Sequence, residues 1–156
     1  MIQVTIPGHG DIQLHHLVLD YNGTLAVDGR LVPGVKQILM ELSQVVEIHV
    51  VTADTFGQAA ANLEGLPCRL TILPEGRQDE GKRDFVRSLG AHRTCSMGNG
   101  RNDCLMLAES ALGVAVILEE GASARAVTAA NVVCTDIVAA LRLLQNPLRL
   151  KATLRF

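Results

Sequence analysis

The sequence predicts an α/β protein, a three-layer Rossmann-like domain in which a mostly parallel sheet lies between helices. Short apolar or β-branched runs alternate with helical patterns along all 156 residues. These runs are apolar on both faces, as expected of parallel strands that helices cover on both sides. Hydrophobic residues make up 48% of the chain and aromatic ones only 3%, which favours closely packed layers. Residues 1–156 are expected to form a single domain.

The first elements follow from local pattern. "IQVTI" and "DIQLHHLVLD" flank the turn sequence "PGHG", which predicts an N-terminal β-hairpin whose second strand continues into a buried strand. After the loop "YNGTLAVDGRLVPG", residues 34–46 have helical spacing. "VEIHVVTAD" and "CRLTIL" are predicted strands. A short helix between them is expected to stop at Gly65 and Pro67.

The second half continues the alternation. A charged helix over residues 79–89 is predicted to turn Phe85, Val86 and Leu89 inward. "RTCSMGNG" is a strand that runs into a glycine turn, and "RNDCLMLAESAL" is a helix that opens on this turn. "GVAVIL", a helix around residues 122–130, "NVVCT" and a last helix through "IVAALRLL" complete the pattern. The basic C-terminal "RLKATLRF" is interpreted as a solvated or interface tail.

Composition excludes several functional classes. The formal net charge is −2, so neither nucleic acid nor an anionic membrane is expected as a main partner. The sequence has no signal-peptide pattern, and charges interrupt its apolar stretches before a membrane span forms. Cys68, Cys95, Cys104 and Cys134 lack metal-type spacing, which indicates free buried thiols. These features predict a cytoplasmic protein.

Polar residues end three of the predicted strands. Asp20 ends "LVLD", Thr52 ends "HVVT", and Asn99 follows "TCSMG". Ligands of open α/β sheets bind beyond the carboxyl ends of the strands, so these side chains are predicted to converge. Each also has an ordinary structural explanation, as a turn aspartate, a helix N-cap and a strand-to-helix turn.

Two more residues extend this set. Lys82 falls near the start of the charged helix, where a lysine is ordinarily a solvated surface residue. Asp103 stands in the first turn of the helix that opens at "GNGRND". A glycine turn allows close backbone approach to a ligand, and a helix start favours anions. The alternative is an ordinary turn with a capping Asn and a first-turn Asp.

In order and spacing, these motifs resemble the haloacid dehalogenase (HAD) superfamily. The pattern is Asp-x-x-Gly-Thr after a strand, a Thr after a second strand, a later Lys, and Gly-x-Gly-x-Asn-Asp. "DYNGTLAVDG", "GNGRND", "TADT" and "ATLR" are most similar to its soluble, P-type-ATPase-like branch. The resemblance covers nearly the whole chain. The spacings from Asp20 to Thr52 and from Thr52 to Lys82 leave no room for a cap domain.

The resemblance implies a role for each matching residue. Asp20 would take a phosphoryl group as an aspartyl-phosphate, and the backbone carbonyl of Asn22 would reach Mg²⁺. The implied catalytic residues are Asp20, Asn22, Thr52 and Lys82. The implied phosphate-binding residues are Gly23, Thr24, Thr52, Ala53 and Lys82. The implied metal-binding residues are Asp20, Asn22, Asn99 and Asp103.

Two amides depart from the superfamily pattern. Asn22 stands where phosphatases of the superfamily have the Asp that acts as general acid and base, and an amide cannot exchange a proton near neutral pH. General acid–base help is typically worth about 10²–10⁴-fold, so slow turnover is expected. Asn99 replaces a metal-ligating Asp, and because Mg²⁺ prefers carboxylate oxygens, its affinity is expected to be weaker.

Two hypotheses follow. The first is a slow Mg²⁺-dependent phosphohydrolase or phosphotransferase that acts on a phosphorylated small molecule or a phosphoprotein. The alternative is a weak or inactive HAD-fold module that binds phosphate or a protein partner in a regulatory role. Because a bare site does not exclude water by itself, a homo-oligomer, either a dimer or a tetramer, is also predicted.

Other polar residues are given structural roles. His15 and His16 adjoin in a strand and point to opposite faces, and His49 is treated as isolated. All five histidines are interpreted as structural. Asp54 and Thr55 are expected to cap the next helix or to lie at the edge of the site.

Overall fold

The fold comes from a computed structural model that describes residues 1–53 and 57–156. The predictions for Asp54 and Thr55 fall outside the described residues. The strands are β1 (Ile2–Ile6), β2 (Gly10–Leu14), β3 (His16–Leu19), β4 (Ala26–Val27), β5 (Arg30–Leu31), β6 (Glu47–Thr52), β7 (Arg69–Ile72), β8 (Thr94–Gly98), β9 (Leu112–Val116) and β10 (Val132–Cys134). The helices are α1 (Val35–Leu42), α2 (Ala59–Leu63), α3 (Gln78–Leu89), α4 (Cys104–Glu109), α5 (Ala124–Ala129), α6 (Ile137–Gln145) and α7 (Pro147–Leu154).

Six strands form the central sheet, in the spatial order β10-β9-β8-β3-β6-β7. Every neighbouring pair in this sheet is parallel. Hydrophobic clusters lie on both of its faces, so the predicted α/β class with a parallel sheet between helices is confirmed. β3 lies between β8 and β6, so the residues that follow it lie near the middle of the sheet's carboxyl edge.

The predicted N-terminal hairpin is confirmed. β1 pairs antiparallel with β2, from Ile2 opposite Leu14 to Ile6 opposite Gly10. The expected continuous strand over "DIQLHHLVLD" is instead divided at His15 into β2 and β3, which belong to different sheets. His15 bridges the two neighbouring segments, because its backbone N–H donates to the Arg93 carbonyl at 2.9 Å and its carbonyl accepts from the Glu47 N–H at 2.9 Å. The division therefore satisfies the backbone at the bend.

Two elements were not predicted. The loop after β3 contains the small hairpin β4–β5, whose turn residues Asp28 and Gly29 have φ angles of 50° and 77°, as a two-residue turn requires. The buried Tyr21 hydroxyl donates to the Gly29 carbonyl at 3.0 Å and fixes this hairpin. The C-terminal segment, interpreted as a tail, is helix α7, which packs its buried Leu150 against the protein near β1.

The core explains how the site is positioned. Leu17 and Leu19 of β3 belong to the large hydrophobic cluster on one face of the sheet. Val18 joins Val86 of α3 in a smaller cluster on the other face. Side chains alternate along a strand, so the next even-numbered position, Asp20, points to the face that α3 covers. No helix in the described ranges is long and apolar enough to cross a membrane.

Two glycines in well-ordered elements should respond oppositely to alanine. A Cβ at Gly113 in β9 would lie 2.3 Å from the backbone oxygen of Leu107, so Gly113→Ala should lower the free energy of unfolding by about 1–3 kcal/mol. A Cβ at Gly81 in α3 would meet only Leu73 side-chain atoms, the nearest at 3.4 Å. Gly81→Ala should therefore raise stability by about 0.5–1 kcal/mol. Urea denaturation measures both, and equal effects would contradict this packing.

Candidate active site

Asp20 stands at the end of the interior strand β3. Its backbone N–H donates to the Met97 carbonyl of β8 at 3.0 Å, which extends the ladder between these strands by one residue. The residue is buried, and its side chain is 9% exposed. A carboxylate in such a place needs a cation or several hydrogen-bond donors to remain ionised.

Lys82 supplies that cation. Its Nζ lies 2.6 Å from Asp20 Oδ1 and 2.6 Å from Asp103 Oδ1. The residue is fully buried, so the ordinary interpretation of a solvated surface lysine is wrong for this position. The other charged residues of α3 are half-buried or exposed, whereas Lys82 lies on the buried face of the helix and reaches the end of β3.

Asp103 is fixed by the glycine turn that precedes α4. Its Oδ2 accepts from the backbone N–H groups of Asn99 at 3.0 Å and Gly100 at 2.8 Å. A Cβ at Gly98 would lie 2.5 Å from Asp103 Cγ, so this approach requires a glycine at the end of β8. The turn in "GNGRND" thus holds one carboxylate oxygen and presents the other to Lys82.

Thr24 links the two sides of the site. Its Oγ1 lies 3.4 Å from Asp20 Oδ2 and 3.3 Å from Asn99 Oδ1. A Cβ at Gly23, which has a φ of 78°, would lie 2.2 Å from Asn99 Nδ2. The Asp-x-x-Gly-Thr segment and the glycine turn therefore approach so closely that only glycine fits between them.

The amide of Asn99 also holds a loop. Its Nδ2 donates to the Gly121 carbonyl at 3.1 Å, and its backbone carbonyl accepts from the Ser123 N–H at 2.8 Å. These contacts attach the segment after β9 to the end of β8. A carboxylate at position 99 has no donor for the Gly121 carbonyl.

Burial and charge shift the titration of this cluster. Burial first, and the nearby Asp103 carboxylate second, raise the pKa of Asp20 to about 6, against the opposing effect of Lys82. Burial alone would favour neutral Lys82, but the two carboxylates outweigh it and hold its pKa above the usual value. With both carboxylates ionised, one lysine leaves the cluster one negative charge in excess.

A cavity of about 240 Å³ opens above Asp20. It is lined by Asp20, Asn22, Thr52, Ala53, Asn99, Gly100, Asn102 and Glu120. The strand-end residues Asp20, Thr52 and Asn99 thus face one space, whereas Lys82 and Asp103 lie behind it. The exposed Glu120 and the half-buried Asn102 were missed from the sequence. Glu120 follows the predicted strand "GVAVIL", so the rule applied to Asp20 points to its loop as well.

The oxygen atoms around this cavity suit a divalent cation. Asp20 offers a carboxylate and Asn99 an amide oxygen, and hard ions such as Mg²⁺ bind such oxygens. Asn22 Oδ1 is buried and, among the described residues, is the one buried side-chain polar atom without a hydrogen-bond partner. A lone buried acceptor is complementary to a cation or a donor, so these residues fit the implied metal, with Asp103 occupied by Lys82 and two amides.

The fold and motifs define a protein with the HAD fold, and comparison with solved structures agrees. The 3-deoxy-D-manno-octulosonate 8-phosphate phosphatase of Moraxella catarrhalis, in complex with magnesium, phosphate and KDO, is 13% identical, with a TM-score of 0.66 over 91% of this chain and 94% of that one. The cobalt-bound enzyme of Haemophilus influenzae is 15% identical, with a TM-score of 0.60 over 89% of each chain. The catalytic domain of the CPx-ATPase CopB-B is 20% identical, with a TM-score of 0.62 over 74% of this chain and 46% of that one. The HAD-type fold that the resemblance predicts is confirmed.

Sequence comparison gives closer relatives. The chain belongs to the same family as the uncharacterized protein MJ0073 of Methanocaldococcus jannaschii, to which it is 47% identical over 87 residues, 56% of this chain and 84% of the relative. The uncharacterized protein MJ0072 of that organism is 46% identical over 39 residues, 25% of this chain and 89% of the relative. No protein-family model matches the chain.

Removal of the Lys82 charge should destabilise the protein in a pH-dependent way. Lys82→Met leaves two buried carboxylates without their cation, which should cost about 3–5 kcal/mol of unfolding free energy near pH 7.5. Without Lys82 the folded-state pKa of Asp20 rises further above the ordinary 3.8 of Asp, so protonation of Asp20 relieves part of the loss as pH falls towards 5.

Urea denaturation at both pH values measures this effect. Lys36→Met is the matched control, since Lys36 is exposed in α1, and it should change stability little at either pH. A Lys82→Met loss of equal size at pH 7.5 and pH 5 would show that burial of paired charge does not govern this cluster.

Proposed function

We propose that the protein is a slow Mg²⁺-dependent phosphohydrolase or phosphotransferase in which Asp20 accepts the phosphoryl group. The observation that supports this most directly is the buried Asp20–Lys82–Asp103 cluster, which borders a cavity at the carboxyl edge of the sheet. Phosphoryl transfer depends on positioned charge far more than on elaborate covalent chemistry, and this cluster provides positioned charge. Similarity to a phosphatase with magnesium and phosphate bound supports the same reaction class.

In the proposed first step, a carboxylate oxygen of Asp20 bonds to phosphorus while the bond from phosphorus to the leaving-group oxygen breaks. Lys82 holds Asp20 Oδ1 at 2.6 Å and so fixes the carboxylate and balances charge during transfer. Thr52 and Ala53 line the cavity, and the Thr52 hydroxyl and the Ala53 backbone N–H would bind phosphate oxygens. Gly23 and Thr24 keep the loop close to Asp20 without adding bulk.

Mg²⁺, held by Asp20, Asn99 and the backbone carbonyl of Asn22, with Asp103 behind them, would supply positive charge to the phosphate oxygens. Asn22 cannot protonate the leaving group or deprotonate the water that later attacks phosphorus. Leaving groups that need no proton, such as those of acyl or aryl phosphates, should therefore react best. For the same reason, the aspartyl-phosphate should persist.

The wider assignments belong to this proposal. Residues 1–156 would act as one domain in the cytoplasm. This domain would lack a cap, because the segment between β3 and β6 contains only the β4–β5 hairpin and α1. All four cysteines are free thiols, of which only Cys95 is fully buried. The substrate would be a phosphorylated small molecule or a phosphoprotein. The two amides, Asn22 and Asn99, favour the second candidate, a module that binds phosphate or a protein partner without turnover.

Phosphorylation assays should separate these functions. Purified protein incubated with ³²P-labelled acetyl phosphate and Mg²⁺ should acquire an acid-stable label that Asp20→Asn abolishes. Asn22→Asp should restore the missing proton transfer and accelerate loss of the label by about 10²–10⁴-fold. The rates are measured by quenched-flow labelling and by p-nitrophenyl phosphate hydrolysis.

Asn102→Asp is the matched control, because it adds the same charge to the cavity wall without restoring the residue that the superfamily uses. It should leave the decay of the label nearly unchanged. If the wild-type protein neither acquires the label nor hydrolyses these substrates, yet binds phosphate, the enzyme proposal is wrong and the binding module is favoured.

Oligomerisation is the second part of the proposal. Leu148 of α7 is 79% exposed and Phe156 is 94% exposed. The Phe156 ring lies against Gly8 in the hairpin turn, and α7 packs against β1. A second copy of the chain that covers these apolar side chains would account for their exposure. Sedimentation should show a dimer or tetramer that Leu148→Asp dissociates. A wild-type monomer at micromolar concentration would contradict this prediction.

A further inference from the structure

Three side chains converge at the end of the sheet opposite Asp20. His16 begins β3, and Glu47 and His49 lie near the start of β6. In the parallel register, His16 pairs with Glu47 and Val18 pairs with His49. All three side chains therefore project from the face that α3 covers. His49 was treated as isolated from the sequence, which is wrong, because the cross-strand pairing brings it to His16.

The distances are close to those of a metal site. His16 Nδ1 lies 3.4 Å from His49 Nε2, and Glu47 Oε2 lies 3.8 Å from the first nitrogen and 3.9 Å from the second. Among the described residues, this is the one group of three or more histidine, cysteine or acidic side chains whose ligand atoms all lie within 4.8 Å of one another. Ligands at about 2.0–2.1 Å from a tetrahedral Zn²⁺ are about 3.3 Å apart, so only the Glu47 side chain has to move closer.

The chemistry of the cluster also suits a metal. Burial lowers the pKa of both His16 and His49, so each ring is neutral at pH 7 and has one lone pair. In the metal-free protein the facing nitrogens are within hydrogen-bond distance, and the tautomers decide which of them carries the proton. A tautomer change moves this proton to the other nitrogen of the same ring, and both facing lone pairs then become available. Glu47 is 58% exposed at its side chain and gives access from solvent.

The positively charged groups described near the cluster belong to exposed residues at its solvent side. Arg69 Nη1 lies 3.9 Å from Glu47 Oε2, but its side chain is 77% exposed and free to turn towards solvent. Arg93 and the exposed His15 also contribute positive or partial positive charge near His16. On the α3 side, the neighbour is the uncharged ring of Phe85, which packs edge-on against His49 at 5.5 Å.

We propose that His16, Glu47 and His49 form a binding site for a divalent transition metal, Zn²⁺ above all, separate from the phosphoryl-transfer site. Two imidazoles and one carboxylate favour Zn²⁺, Co²⁺, Ni²⁺ or Cu²⁺ over Mg²⁺. Water completes the coordination on the exposed side. His16 and Asp20 are four residue steps apart along the direction of β3, about 13 Å at about 3.3 Å per step. The ion would cross-link the starts of β3 and β6.

The test uses full-length protein freed of metal with a chelator. Calorimetric titration with Zn²⁺, in excess Mg²⁺ that occupies the site at Asp20, should show one equivalent bound, and Co²⁺ under the same conditions should give the visible absorption of a four- or five-coordinate site. Glu47→Gln and His49→Gln should each weaken Zn²⁺ binding at least tenfold. Because Glu47 is exposed, Glu47→Gln should keep the wild-type circular dichroism spectrum, so loss of fold cannot explain its effect.

Two variants serve as matched controls. Cys68→Ser removes a nearby half-buried thiol, and Asp20→Asn removes the proposed nucleophile; both should bind Zn²⁺ as the wild type does. A wild type that binds no Zn²⁺ would overturn the proposal and leave the cluster as a hydrogen-bonded histidine pair. Wild-type affinity for Zn²⁺ in both Glu47→Gln and His49→Gln, or loss of binding in either control, would overturn it as well.

Discussion

The arrangement of the functional end of the molecule depends on one buried lysine. Lys82 lies between Asp20 and Asp103, at 2.6 Å from an oxygen of each. Burial of either carboxylate alone would cost several kcal/mol, so the end of β3 and the turn before α4 can approach only because α3 brings a cation between them. The geometry of three separate elements is thereby coupled through a single charge. This coupling explains why α3, whose other charged residues are half-buried or exposed, has one fully buried lysine.

The fold was predictable because its signals are local and repeated. Strands apolar on both faces alternate with helices, and this pattern alone specifies a parallel sheet. The β4–β5 hairpin was missed because its strands have two residues each, too few for a period to appear. Helix α7 was missed because it buries only Leu150, so it has no apolar stripe. The division at His15 depends on hydrogen bonds to Arg93 and Glu47, which are distant in sequence.

The sequence likewise predicted only part of the site. Asp20, Thr52 and Asn99 were expected to converge because strand ends meet at one edge, and they do line one cavity. The depth of Lys82 was not predictable, since helical spacing gives a direction without giving burial. The pairing of His16 with His49 depends on the register between β3 and β6. A register shift of one residue would place these side chains on opposite faces, and no local pattern fixes it.

The contacts of Asn99 give its side-chain amide a structural role that a carboxylate could not fill. Its Nδ2 donates to the Gly121 carbonyl, next to Glu120, whose residue lines the cavity. The amide therefore anchors the loop that brings the Glu120 carboxylate to the cavity wall. An acid at position 99 would repel the Gly121 carbonyl that it faces, because a carboxylate has no donor for it. The identity of residue 99 and the position of the loop that carries Glu120 thus depend on each other.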